Sequence, residues 1–172
     1  LVHMKTIDIK SNAIDKILGP GDERFFSNGF RKVIQSINDI TVYPYNKGEV
    51  DKGIITAKAT LHYPNDWSKK KENSELIPHL SSVDAVILST QLNEMYLTYK
   101  YSLNEEQRQS LWLKSFNMKA SSTPQEDLQD FSIESVQLNA SKYKGTNQFI
   151  SVFEAKIGTI TIISEIVHDI ND

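Results

Sequence analysis

The stretch PHLSSVDAVILSTQLNEMYL, residues 78–97, constrains the fold more than any other part of the chain. It is long, and apolar side chains recur at helical spacing around nearly its whole circumference. A helix of this kind must be covered on most sides by other structure. The reading places it from about Pro78 to Tyr96, with proline in the first turn, where its missing N–H costs nothing. At 100° per residue, Leu80, Ile87, Leu88 and Met95 cluster on one side, with Asp84 and Gln91 among them, within about 20° of each other. Ser82, Ser89 and Asn93 fall in the opposite arc, which is the expected wet side.

Strand patterns supply the cover. From Phe30 to about Tyr43 the chain reads as extended, with imperfect alternation that suits a long strand carrying a bulge. After a polar turn, GIITAKATLHY alternates clearly. Ile55, Ala57, Ala59, Leu61 and Tyr63 share one face; Thr56, Lys58, Thr60 and His62 lie on the other. A polar loop follows and then the helix, while YSLNEEQRQS breaks the pattern. Strands are expected from Leu111, over FSIESVQLNASKYKG and NQFISVFEAKIG, and, after a turn at Gly158–Thr159, over ITIISEIVH. One long helix against five to six mostly antiparallel strands is an α+β layout. A sheet curled around a central helix, the hotdog architecture, satisfies the helix's need for cover.

The division expected is a cloning scar at 1–4 ahead of Met4, an N-terminal extension over 5–29, and a single hotdog domain over 30–172. In the extension, Gly19, Pro20 and Gly21 make a tight turn, followed by Phe25, Phe26 and Phe30 as aromatic anchors. At 172 residues the chain is long enough for a core without staples. It has no cysteine, which excludes disulfides and thiolate chemistry. The net charge is −3, so there is no basic excess to engage nucleic acid. The one basic cluster, Lys69, Lys70 and Lys71, sits in a polar loop. No apolar run reaches the roughly 18 residues of a membrane span, and a cytoplasmic location is expected. His62, His79 and His168 show no metal-ligand spacing, so no metal is expected.

Asp84 is the residue whose chemistry stands out. A carboxylate among apolar side chains is costly unless hydrogen-bonded, paired or protonated, and such a group in a closed pocket is what acid–base catalysis uses. SSVD also matches a capping box, in which Ser81 caps the helix and Asp84 reaches back, leaving Pro78 and His79 outside. His79, at the helix mouth, is either a proton shuttle or an ordinary exposed side chain. Gln91 either orients a substrate or bonds a neighbouring strand. His62 lies on a polar strand face, and His168 is expected to be solvated or to pair with acidic neighbours.

The segments LGPGDERFFSNGFR, ATLHYPNDW, PHLSSVDAVILSTQLNEMYL, SSTPQEDLQDF and ISVFEAKIGT resemble the bacterial avirulence D (AvrD) family over about 18–168. The resemblance implies a hotdog enzyme acting on acyl or β-ketoacyl thioesters. The implied reaction is acyl transfer to a sugar-like acceptor in the synthesis of syringolide-like secondary metabolites, with dehydration or thioester hydrolysis as related chemistry. It implies Asp84 and His79 as catalytic residues and Gln91, Leu88 and His62 as substrate contacts. Leu88 stands where hotdog dehydratases, whose HPxLLDA helix motif PHLSSVDA is similar to, carry a glutamine or histidine. Coenzyme A or acyl-carrier thioester would be the co-substrate, with no bound cofactor. A homodimer, or pairing with a second hotdog domain, is expected. The alternatives are a non-catalytic module binding acyl chains or small metabolites, and a catalytically silent half of a two-hotdog assembly.

Overall fold

The computed structural model describes residues 14–45, 52–64 and 77–171. The basic cluster at 69–71 and the polar turn after Tyr45 lie outside the described residues. Six strands form one antiparallel sheet: β1 (Ile34–Tyr43), β2 (Ile54–His62), β3 (Trp112–Ala120), β4 (Phe131–Lys142), β5 (Phe149–Ile157) and β6 (Ile160–His168). Their order is β1-β2-β4-β5-β6-β3, which leaves β1 and β3 as the edges. Among the described residues three α-helices accompany them: α1 (Asp15–Leu18), α2 (Ser82–Tyr101) and α3 (Glu105–Gln109). α2 packs across β2, β4, β5 and β6.

Strand alternation works as the sequence reading expects. On β2, Ile55, Ala57, Ala59 and Leu61 are buried against α2 while their neighbours face outward. On β5 the buried series is Ser151, Phe153, Ala155 and Ile157. β1 carries its bulge between Asn38 and Thr41, with Asp39 at a φ of 54°. Gly158 takes up a φ of 57° in the tight β5–β6 connection, a conformation that a side chain disfavours. Val33, Ile37 and Val42 pack against the main core from the β1 side.

Of the two expected helix starts, the capped one holds: the helix runs from Ser82 with Ser81 as its cap, the Ser81 Oγ accepting the Asp84 N–H at 3.1 Å, while the Asp84 carboxylate meets the Ser81 hydroxyl rather than its backbone N–H. Leu80 N–H is already committed to the Gln125 carbonyl of the loop before β4, so Pro78 and His79 lie outside the helix. The helix is turned differently from expectation. Of the expected wet arc, Ser82 is exposed but Ser89 and Asn93 are buried, whereas Gln91, Glu94 and Met95 are exposed. The reason lies on the sheet. Asn93 donates to Ser164 Oγ on β6 at 3.2 Å and accepts from Ser135 Oγ on β4 at 2.5 Å. Serines opposite a buried amide satisfy it, and small side chains let the helix sit close to the strands.

Two smaller differences concern local segments. YSLNEEQRQS does not only break the pattern: α3 forms within it, held by a reciprocal capping box between Asn104 and Gln107. Of the three expected aromatic anchors, Phe25 and Phe30 are partly buried, but Phe26 stands largely exposed. Among the described residues no helix is long and apolar enough to cross a membrane.

Candidate active site

Asp84 sits in the first turn of α2 and is almost fully buried. Its carboxylate accepts three hydrogen bonds from neutral donors. Oδ1 takes the Gln35 Nε2–H at 2.7 Å. Oδ2 takes the Tyr63 hydroxyl at 2.7 Å and the Ser81 hydroxyl at 2.6 Å. Each bond offsets part of the cost of burying the carboxylate. The positive end of the helix dipole acts in the same direction. Tyr63 carries the opposite consequence. Burial, then its hydrogen bond to Asp84, then the nearby negative charge, push its phenol well above the ordinary tyrosine range. Tyr63 is therefore a fixed donor to Asp84 at neutral pH, with the His79 carbonyl a longer second acceptor at 3.2 Å.

The relay continues outward. Gln35, on the edge strand β1, accepts from Gln91 Nε2 at 3.3 Å through its Oε1. Asp84 and Gln91, paired on one helix face by the sequence, are thus joined through a residue of another element. Gln91 also lines a groove of about 620 Å³ between β1, α2 and α3, walled by Ile37, Ile40, Leu92, Met95 and Arg108.

The other candidates stand elsewhere. His79 is exposed, and its backbone carbonyl is what meets Tyr63. Its side chain borders a separate cavity of about 460 Å³ at the start of α2, with Phe26, Met118 and Gln125. His62 is exposed at the end of β2, on the face turned away from α2, so it does not reach Asp84. Leu88 is fully buried in the core, where it fills space and presents no surface to a groove. Sequence reasoning missed Gln35 and gave Tyr63 only a packing role. A readable signal existed for both. Each occupies the inward-facing register of its strand, and a polar group placed there needs a partner.

A second polar cluster lies at the far end of α2. Gln137 of β4 accepts from Tyr96 at 2.9 Å and from Lys100 Nζ at 2.5 Å, and it donates to Tyr101 at 3.1 Å and to Ser151 at 3.0 Å. His168, expected to be solvated or to pair with acidic neighbours, is instead buried between the rings of Tyr101 and Phe149, and it meets Asp169 only at the backbone carbonyl. The inward register of β6 carries it into the sheet's inner face. Its Nδ1 lies 2.8 Å from the Asp169 carbonyl, which can only accept, so Nδ1 carries the proton. Nε2 then accepts from Ser151 at 2.6 Å.

Burial lowers the His168 pKa below its ordinary value, outweighing the opposing pull of Asp169. An unfolded chain binds this proton at a pH where the folded one does not. Stability therefore rises with pH through the window below the ordinary histidine value and is level above it. A thermal melting series from about pH 7.5 down to about pH 5.5 should show this fall. His168→Gln should flatten the part that His168 contributes. Parallel curves for the two proteins would remove His168 as its source.

The fold and the carboxylate on the cradled helix define a hotdog protein. The thioesterase-named protein yhdA of Lactococcus lactis matches with a TM-score of 0.52 at 13% identity, over 80% of this chain and 94% of that one. Two further solved structures match with a TM-score of 0.39. One is a mutant of thioesterase PA1618 from Pseudomonas aeruginosa, at 9% identity over 94% of this chain and 97% of that one. The other is thioesterase HI1161 from Haemophilus influenzae, at 12% identity over 77% and 78%. Residues 10–172 match the model of the Pseudomonas avirulence D protein (AvrD) family, and the chain belongs to that family. The search of curated proteins gives no match.

Proposed function

We propose that the chain acts on an acyl or β-ketoacyl thioester and transfers the acyl unit to a hydroxylated, sugar-like acceptor, in the manner of syringolide-type metabolite synthesis. The observation that carries this reading is Asp84. It is a buried carboxylate on a hotdog helix, held by three neutral donors and joined through Gln35 and Gln91 to a groove of mixed polar and apolar lining. In the proposed step, Asp84 takes the proton of an acceptor hydroxyl as that oxygen attacks the thioester carbonyl carbon. The carbon–sulfur bond breaks, and the departing thiolate takes the proton back from Asp84. The products are an acyl ester and a free thiol, and the thioester itself supplies the driving force. Gln91 would orient the acyl carbonyl, and His79 would act from the neighbouring cavity at the start of α2. Coenzyme A or an acyl carrier would bring the thioester, and a second copy or a second hotdog domain would complete the site from outside, in the cytoplasm.

The second reading is a binding module for acyl chains or small metabolites. The Ser81–Asp84 cap favours it, because a carboxylate so fully engaged in helix capping has a structural use already. Incubation with β-ketoacyl thioesters and polyols separates the two. Thiol release together with an ester product of matching mass supports transfer. Ligand retention without thiol release supports the module. Release of free acid alone replaces transfer by hydrolysis.

A further inference from the structure

The two oxygens of Asp84 are held in different ways. Oδ2 is held by Ser81, from the helix's own cap, and by Tyr63, just past the end of β2. β2 is an interior strand, paired with β1 on one side and β4 on the other. Oδ1 is held by Gln35 alone among the hydrogen bonds of the described residues. Gln35 belongs to β1, which among the described residues has β2 as its single strand neighbour and is broken by the bulge at Asn38–Thr41. An edge strand with a bulge yields more readily than an interior one. The other end of the Gln35 amide meets exposed Gln91 on the groove wall through a long, weak bond of 3.3 Å. Ile37 and Ile40, on the same strand, line that groove directly.

We infer that Gln35 is a displaceable plug between the groove and Asp84. Its amide N–H occupies, at 2.7 Å from Oδ1, the place that a substrate hydroxyl must take to hand over its proton. Gln35 is thus a positioning residue: it holds the carboxylate in place while the groove is empty and swings toward Gln91 when a donor arrives. This inference deepens the reading of Asp84 as a proton-transfer group, but it can fail or stand separately from that reading.

The test that needs no substrate is chemical labelling of Asp84 with a water-soluble carbodiimide and an amine, followed by mass spectrometry. In the native protein the plug should keep labelling slow. Gln35→Ala should label at Asp84 about tenfold faster, because the groove side of Oδ1 is then uncovered. Tyr63→Phe, which loosens the opposite oxygen, should not open the groove side and should label at the native rate. Circular dichroism and melting confirm that each variant is folded before labelling. Equal Asp84 labelling in Gln35→Ala and the native protein overturns the plug, as does faster labelling in Tyr63→Phe than in Gln35→Ala. In turnover assays, Gln35→Ala should lower the KM for the hydroxylated acceptor more than it changes kcat, a split that a merely structural role would not give. Fast labelling combined with undiminished turnover in Asp84→Asn would keep the plug and discard the catalytic reading.

Discussion

Asp84→Asn is expected to lower thioester turnover by about 10²–10⁴-fold, the usual span for loss of a positioned general acid–base group. Its effect on folding should be small by comparison. Asparagine matches aspartate in shape, and the partners can adjust: the Ser81 and Tyr63 hydroxyls rotate, and the Gln35 amide can turn over. A stability cost of about 1 kcal/mol is reasonable for such a rearrangement. Ser81→Ala supplies the contrast. It removes the cap, at a cost of about 1 kcal/mol, but leaves the carboxylate in place, so turnover should stay within a few-fold of native. Steady-state kinetics and melting on the same preparations decide the matter. Turnover in Asp84→Asn within about threefold of native, far below the usual acid–base contribution, would leave Asp84 as part of a cap.

The second large effect is expected at Gly53, and it concerns stability. A Cβ built there would lie 2.2 Å from the Tyr96 hydroxyl oxygen and 2.5 Å from each of the carbonyl oxygens of Tyr43 and Pro44. None of the three can easily withdraw. Tyr96 is held by Gln137 and the Pro44 carbonyl, and the Gly53 carbonyl accepts the Gln137 N–H at 2.9 Å. Gly53→Ala should therefore cost about 3 kcal/mol, the upper part of the range for overpacking. Urea unfolding measures it. Combining it with Tyr96→Phe should recover little, because the two backbone oxygens remain. A native-like midpoint in Gly53→Ala would mean that the end of β1 does not close over the start of β2.

Much of the fold was legible because its signals are local. Alternation on β2 and β5, the Gly158 turn and the length of the central helix each depend on neighbouring residues. What was not legible depends on distant ones. Rotation of the helix could not be read from polarity, since Ser89 and Asn93 are polar residues buried beside Ser135 and Ser164, which come much later in the chain. Asp84 and its cap were readable from SSVD, but Gln35 joins them only when β1 is laid beside β2. His168 was misplaced for the same reason: solvation near a chain end is a fair default until strand register turns the side chain inward. His62 and Leu88 show the limit of carrying a role by motif position. One faces away from the helix, and the other is sealed beneath it.

The sheet order also bears on how the chain is made. β3 precedes β4, β5 and β6 in sequence, yet its single strand partner is β6. During synthesis β3 leaves the ribosome with no neighbour to pair with, and it must wait until residues 160–168 have followed. Throughout that interval Leu113 and Met118, which pack on the core in the finished fold, stand on an unmatched strand. Meanwhile β4, β5 and β6 can close as successive hairpins as soon as each emerges. The nascent chain therefore carries a waiting edge, and the meander that ends in β6 both completes the sheet and relieves that exposure.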